Sequence, residues 1–271
     1  MRMKLPHKIW PFGSKTEPET RNDTNGVHDI FEGLNLEPQP LDFLRLDHIV
    51  TIGRRFFEYN SIFLLDEFDP FAEKVLDVGG GVSSFTYEAV ERGFEVMSVD
   101  PIYAFDHYKL KRKCEEDIEY TIRNLEKTLH RLNWGKPIEN FEHLRQTRRS
   151  CYMMFLDDFK ENRWRYLDAQ FPYTPFIVRD NFTISLVSHL LFIYDSHISY
   201  DTHVSIIKEI LRVTSKEVRI YPLINLNFKT SEFVGRIMKD PVFAGVTFEL
   251  RPTEYMFLSG ADMMMVIKKR P

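Results

Sequence analysis

The chain has 271 residues, enough for one large domain or for one domain with appendages. At 43% hydrophobic and 14% aromatic it can fill a core, and its net charge of −4 excludes a global basic field that would recruit nucleic acid. The two cysteines, Cys114 and Cys151, lie far apart without metal-ligand spacing, so ordinary thiols are expected and no metal site. No apolar run reaches the roughly 18 residues that span a bilayer. The basic N-terminus (Arg2, Lys4, Lys8) has no apolar signal core behind it, so a cytoplasmic protein is expected.

Residues 1–40 carry Pro6, Pro11, Pro18, Pro38 and Pro40 among many polar residues, which predicts a flexible tail ahead of one domain over 41–271. From Leu41 to Phe68 the apolar positions Leu46, Ile49, Val50, Phe56, Phe57, Phe63 and Leu64 follow helical spacing. One or two helices are expected, as core or as a lid lined by Phe57 and Tyr59. Lys74 to Val78 reads as a strand. A glycine turn and a helix from Ser83 to about Arg92 follow, capped by Ser83 or Ser84 and closed by Gly93. Glu95 to Val99 is a second strand, ending at Asp100-Pro101.

Next, Ile118, Ile122, Leu125, Leu129 and Leu132 step by fours and threes, predicting an amphipathic helix that stops at Trp134-Gly135. A second helix is expected over about 137–159. Its face with Arg145, Arg148 and Arg149 reads as solvated, the alternative being an anchor for RNA. Together these form a helical insertion at about 106–160. Tyr166 to Ala169 reads as a short strand and Phe182 to Val187 as a buried one. A helix over 202–212, a strand over 217–223 and a helix over 231–239 come next. Strands over 246–250 and 263–268 should pair antiparallel at the sheet edge. The alternation predicts an α/β fold: a Rossmann-like, doubly wound, mostly parallel seven-stranded sheet.

In such sheets ligands bind beyond the carboxyl ends of the strands. Asp77 with Gly79, Gly80 and Gly81 stands after the first strand. Asp100 and Pro101 follow the second, about 20 residues on, the distance at which an acid reaches a ribose. Asp168 and Ala169 follow the third strand, and Ser188 with His189 the fourth. A carboxylate just ahead of the glycines would repel a pyrophosphate. It favours a cationic ligand, which points to S-adenosylmethionine.

Val75-Leu76-Asp77-Val78-Gly79-Gly80-Gly81 resembles the first motif of class I S-adenosylmethionine-dependent methyltransferases, and Glu95 to Asp100 their second. The stretches Asp168 to Pro172, Asn181 to Ile184, Ser188 to Leu191 and Lys208 to Val213 resemble the small-molecule (type 11-like) branch. The resemblance implies methyl transfer from S-adenosylmethionine to a small-molecule acceptor, with neither membrane nor nucleic acid as partner. It places Asp77, Gly79, Gly80 and Gly81 near the methionyl part, Asp100 and Pro101 at the ribose, Asp168 and Ala169 at the adenine, and the backbone of Ser188 near the sulfonium. Ser83 stands where the family has a third glycine, and Thr183 where it often has an acid. The long span before Asp168 leaves Asp157 or Asp158 as alternatives for the adenine. His189, directly after a strand on the ligand side, is the candidate general base, the other reading being a hydrogen-bonded structural histidine. His197 and His203 are expected at the surface. Tyr103, His107 and Tyr108 are expected either to border the acceptor pocket or to pack the inserted helices. An RNA or protein methyltransferase and a non-catalytic cofactor-binding module are the rival functions.

Overall fold

The computed structural model describes residues 41–135 and 137–270, and Leu41–Pro271 forms one compact unit. The flexible tail expected over residues 1–40 lies outside the described residues. Seven strands make one sheet: β1 (Lys74–Val78), β2 (Glu95–Val99), β3 (Tyr166–Leu167), β4 (Phe182–Ser188), β5 (Thr214–Tyr221), β6 (Val246–Pro252) and β7 (Met263–Lys269). Their spatial order is β3-β2-β1-β4-β5-β7-β6. The pairs among β1 to β5 are all parallel, while β7 runs antiparallel to both β5 and β6. The antiparallel pair closes one edge, and the chain reverses its winding between β1 and β4. This is the doubly wound architecture read from the alternation of elements.

The central strands β1 and β4 are buried on both faces, which is why they read as near-continuous apolar runs. Helices α1 (Phe56–Phe63), α2 (Phe85–Val90), α3 (His107–Leu125), α4 (Phe141–Glu161), α5 (Tyr200–Val213) and α6 (Glu232–Lys239) accompany them. Ile206, Ile207 and Ile210 of α5 bury into a core with Val187, Val218 and Ile220. Side-chain caps start α3 (Asp106), α4 (Asn140), α5 (Ser199) and α6 (Ser231), each accepting from an N–H of the first turn. Among the described residues no helix is long and apolar enough to cross a membrane.

Four local expectations need correction. Ser84 stands at the start of α2 but does not cap it; its hydroxyl instead donates to Glu88 at 2.6 Å. The helix expected to run to Leu132 ends at Leu125. Thr128 leaves helical geometry with its hydroxyl bonded back to the Leu125 carbonyl, and Leu129 is exposed. His203 is buried, not superficial: its ring stacks on Phe192 and its Nδ1 meets the Ser199 carbonyl at 2.9 Å. The arginine face of α4 is not simply solvated. Arg148 is buried in a two-pronged ion pair with Glu58 of α1, at 2.6 and 2.7 Å.

Candidate cofactor site at the strand tips

In the parallel register of β1 and β2, Asp77 lies opposite Ser98 and Val78 opposite Val99. The chain leaves β1 through Gly79 and Gly81, at φ of +68° and +57°, a region where a side chain would strain the backbone. The Gly79 N–H donates to the Val99 carbonyl at 2.8 Å, and the Gly81 N–H to Asp100 Oδ2 at 3.1 Å. Asp100 Oδ1 accepts from the Ile102 N–H at 2.9 Å, capping the short 3-10 helix that opens at Pro101. One carboxylate thus ties the two strand tips together across the glycine turn. Gly80 has a different reason to be glycine. A Cβ there would lie 1.9 Å from Ser98 Oγ and 2.4 Å from Asp77 Oδ2. A Cβ on Gly81 would meet only the Gly79 carbonyl, at 4.0 Å, so that position leaves room for a close ligand.

Asp77 is enclosed beneath this turn. The Tyr59 hydroxyl donates to it at 3.0 Å and the Ser98 hydroxyl at 3.4 Å; Ser98 also meets the Tyr103 hydroxyl at 2.7 Å. Burial pushes the Asp77 carboxyl up to about 7, outweighing the two hydroxyls, and the neighbouring Asp100 charge adds to the rise. Burial likewise pushes Asp100 up to about 6 against its two backbone donors, with Lys113 pulling down and Asp168 pushing up. Two carboxyls held close to ionisation at neutral pH are what a cationic ligand would meet. Because Asp77 is covered, its charge would act through the turn and not by direct contact.

The third strand tip joins them. The Asp100 N–H donates to the Leu167 carbonyl at 3.2 Å, and the exposed Asp168 is near enough for its charge to bear on Asp100. Ala169 packs against the core beside it. Asp158 is engaged elsewhere, with Arg165 at 2.7 Å and the Tyr166 hydroxyl at 2.6 Å, and Asp157 is exposed on α4. At the end of β4, next to β1, Ser188 Oγ pairs with His189 Nδ1 at 3.0 Å. His189 sits at φ +51°, its N–H donating to the Tyr221 carbonyl at 2.7 Å and its ring edge-on to Tyr221 and Tyr255. Burial, then the charges of Arg54 and Arg148, hold its pKa well below 6.5, so the ring is neutral at physiological pH.

Several neighbours escape a reading of motifs. The pre-strand segment lies on the glycine turn: Gly53 contacts Val82, where a Cβ would come within 2.2 Å of the carbonyl oxygen. The Arg54 N–H donates to Ser83 Oγ at 3.0 Å. Cys151 of α4 supports the turn from below, accepting from the Ser84 N–H at 3.3 Å, and burial pushes its thiol up to about 11, which leaves it uncharged. Glu58 is buried with Arg148 and accepts the Tyr255 hydroxyl at 3.0 Å, pinning α1, α4 and the β6–β7 connection together. Burial is the largest influence on Glu58 and would raise it, but the charge and hydrogen bonds of Arg148, the Arg54 charge and the Arg55 N–H together outweigh it, and the net direction is down. The one available signal was an acid inside the aromatic run Phe56-Phe57-Glu58-Tyr59. Tyr59 supports Asp77 and does not line a lid. Tyr103 packs with Phe155 and Phe159 of the insertion and with Tyr166 of β3, and Tyr108 is exposed.

No family model matches this chain. Uncharacterized protein MJ0045 of Methanocaldococcus jannaschii is 34% identical over 228 residues, covering 84% of this chain and 99% of that protein. The chain belongs to the MJ0045 family. Solved structures similar to this chain include magnesium protoporphyrin IX methyltransferase (ChlM) from Synechocystis PCC 6803 with bound SAM. The match has a TM-score of 0.40 at 10% identity, over 78% of this chain and 77% of that one. A TehB-like SAM-dependent methyltransferase from Corynebacterium glutamicum matches with a TM-score of 0.41 at 14% identity, over 78% and 88%. An rRNA methylase from Escherichia coli matches with a TM-score of 0.40 at 12% identity, over 78% and 62%. At such scores the fold assignment rests on the strand order described above and not on these likenesses.

Proposed function

We propose that this chain is an S-adenosylmethionine-dependent methyltransferase acting on a small molecule. The observation that carries the reading is the Asp100 carboxylate bonded to the Gly81 N–H across a glycine turn at the winding reversal, with Asp77 enclosed beneath it. The residues present fit that cofactor. Asp100 would accept from the ribose hydroxyls, Asp168 from the adenine amino group, and the open face of Gly81 would admit the methionyl chain. Pro101 would stand with Asp100 at the ribose and Ala169 beside the base, Gly79 and Gly80 would shape the turn, and Ser188 would offer backbone near the sulfonium.

When bound, the cofactor supplies an electrophilic methyl group on a sulfonium. The chain's own contribution is to hold the acceptor in line and to take its proton. A neutral His189 whose Nδ1–H donates to Ser188 Oγ would keep the Nε2 lone pair for that proton. His189→Ala is expected to lower turnover while leaving cofactor affinity within about twofold. Unchanged turnover would make the ring structural.

Two measurements test the reading. Asp100→Ala should weaken S-adenosylhomocysteine binding by more than about 1 kcal/mol, the scale of a lost hydrogen bond to a charged group. Transfer of radiolabelled methyl into size-fractionated extract should label small molecules. Label confined to RNA or protein would replace the acceptor class, and tight cofactor binding with no label in any fraction would favour a non-catalytic module.

A further inference from the structure

We propose that a groove at the edge of the sheet opposite the strand tips is a second ligand site, suited to an organic phosphate monoester. The inference stands apart from the methyl-transfer reading, since none of its residues belongs to the cofactor site.

The groove is a cavity of about 630 Å³, within the size range of small-molecule sites. Its walls come from the segment ahead of β4, the second half of α5, the turn ahead of β6 and the end of β7. β4 and β5 both start at this edge, so the seven residues of β4, about 20 Å of strand, separate it from Ser188. The chain fixes the frame by its own bonds. The Asp180 N–H donates to the Arg212 carbonyl and the Arg270 N–H to the Gly245 carbonyl, each at 3.0 Å. Lys269 pairs with Asp180, joining the end of β7 to the segment before β4. The Arg212 guanidinium donates to the Thr174 and Ile177 carbonyls at 3.0 and 2.9 Å while clamping Glu209.

Four cations line the groove, Arg179, Lys208, Arg212 and Lys269, against one acid, Glu209. On a chain of net charge −4 this is a local reversal of sign. Glu209 is fully engaged: each oxygen accepts from Arg212 at 2.8 Å, and one also accepts the Thr174 hydroxyl at 2.7 Å. Lys269 has Asp180. Arg179 and Lys208 are exposed and have no hydrogen bond or ion pair among the described residues. Asp240 is near enough for the Lys208 charge to bear on it, but its oxygens already accept the Val242 N–H at 3.0 Å and the Tyr200 hydroxyl at 2.8 Å. Two cations are left over. A phosphate monoester carries about −1.5 to −2 at pH 7 and matches both, where a carboxylate would match one. The rest of the lining suits an organic body. Leu211, Phe243 and Val246 are buried in the wall, and Val242 leaves apolar surface exposed. A Cβ on Gly245 would meet nothing within 4 Å, so the groove is open there.

The test is calorimetric titration of the full chain with phenyl phosphate and uridine monophosphate, and with phenol, uridine and inorganic phosphate as their separate halves. One of the two organic phosphates should bind wild type at least about tenfold more tightly than either of its halves. Arg179→Gln combined with Lys208→Gln should remove that advantage. Gly245→Leu, which adds bulk without changing charge, should reduce it, with melting temperature unchanged in both variants. Saturating S-adenosylhomocysteine should leave the affinity within about twofold, because the two sites share no residue. Equal binding by wild type and the double variant, or no binding of either organic phosphate at about 10 mM, overturns the proposal. Undiminished affinity in Gly245→Leu, or competition by S-adenosylhomocysteine, places the probe elsewhere and also overturns it. Inorganic phosphate binding as tightly as both esters overturns the organic class. Failure of S-adenosylhomocysteine to bind at all removes the methyl-transfer reading, while the titration still decides the groove.

Discussion

Asp77 and Asp100 differ from ordinary aspartates in what surrounds them, and pH should expose this. Their carboxyls are pushed up to about 7 and about 6 by burial, against roughly 3.9 in an unfolded chain. A group whose folded pKa is raised stabilises the fold below the unfolded value, and that contribution is lost as pH rises through the folded pKa. The unliganded protein should therefore lose stability between about pH 4 and 7 on account of this pair. A cation bound beside the ionised pair restores it. The shift in melting temperature caused by S-adenosylmethionine should accordingly be larger at pH 8 than at pH 5. Asp77→Asn should flatten that difference; an equal shift at both pH values would separate the pair from the ligand. His189 titrates in the other direction, well below 6.5, so its protonation should leave the rate unchanged between about pH 6.5 and 8.

Among the elements, α1 and α4 are held to the glycine turn by polar groups as much as by apolar ones. Arg148→Met would strand the Glu58 charge in a dry site. Breaking one partner of such a pair costs about 3–5 kcal/mol, and chemical denaturation should read a loss of that size. A surface-like loss below about 1 kcal/mol would place the pair in water. The turn makes a second, steric demand. Gly80→Ala would drive a methyl onto Ser98 Oγ and the Asp77 carboxylate, at 1.9 and 2.4 Å before relaxation. It should destabilise by about 1–3 kcal/mol, and adding Ser98→Ala should recover part of the loss, since the two sites share one contact.

For the molecule as a whole, the winding reversal between β1 and β4 gathers residues from four strand tips onto one edge of the sheet. The inserted α3 and α4 stand beside them. Their arginines are engaged: Arg145 with Glu119 and Glu142, and Arg149 with Glu119. Neutralising Arg145 and Arg149 together should therefore leave any RNA binding and its salt dependence unchanged. A drop in the salt slope would revive an RNA acceptor.

The strand–glycine turn–helix–strand order, the acids at 77 and 100 and the antiparallel closing pair were legible in the chain, because local periodicity and turn chemistry are written in adjacent residues. The acid at 168 was legible only as one of three. In the fold Asp158 is engaged with Arg165 and Tyr166, Asp157 faces outward and Asp168 is close enough to act on Asp100, which is what supports the proposed assignment. Glu58 with Arg148, Tyr59 beneath Asp77 and the burial of His203 were not legible. Each depends on partners distant in sequence, and whether a charge is solvated, paired or left over is settled by which helices pack against one another.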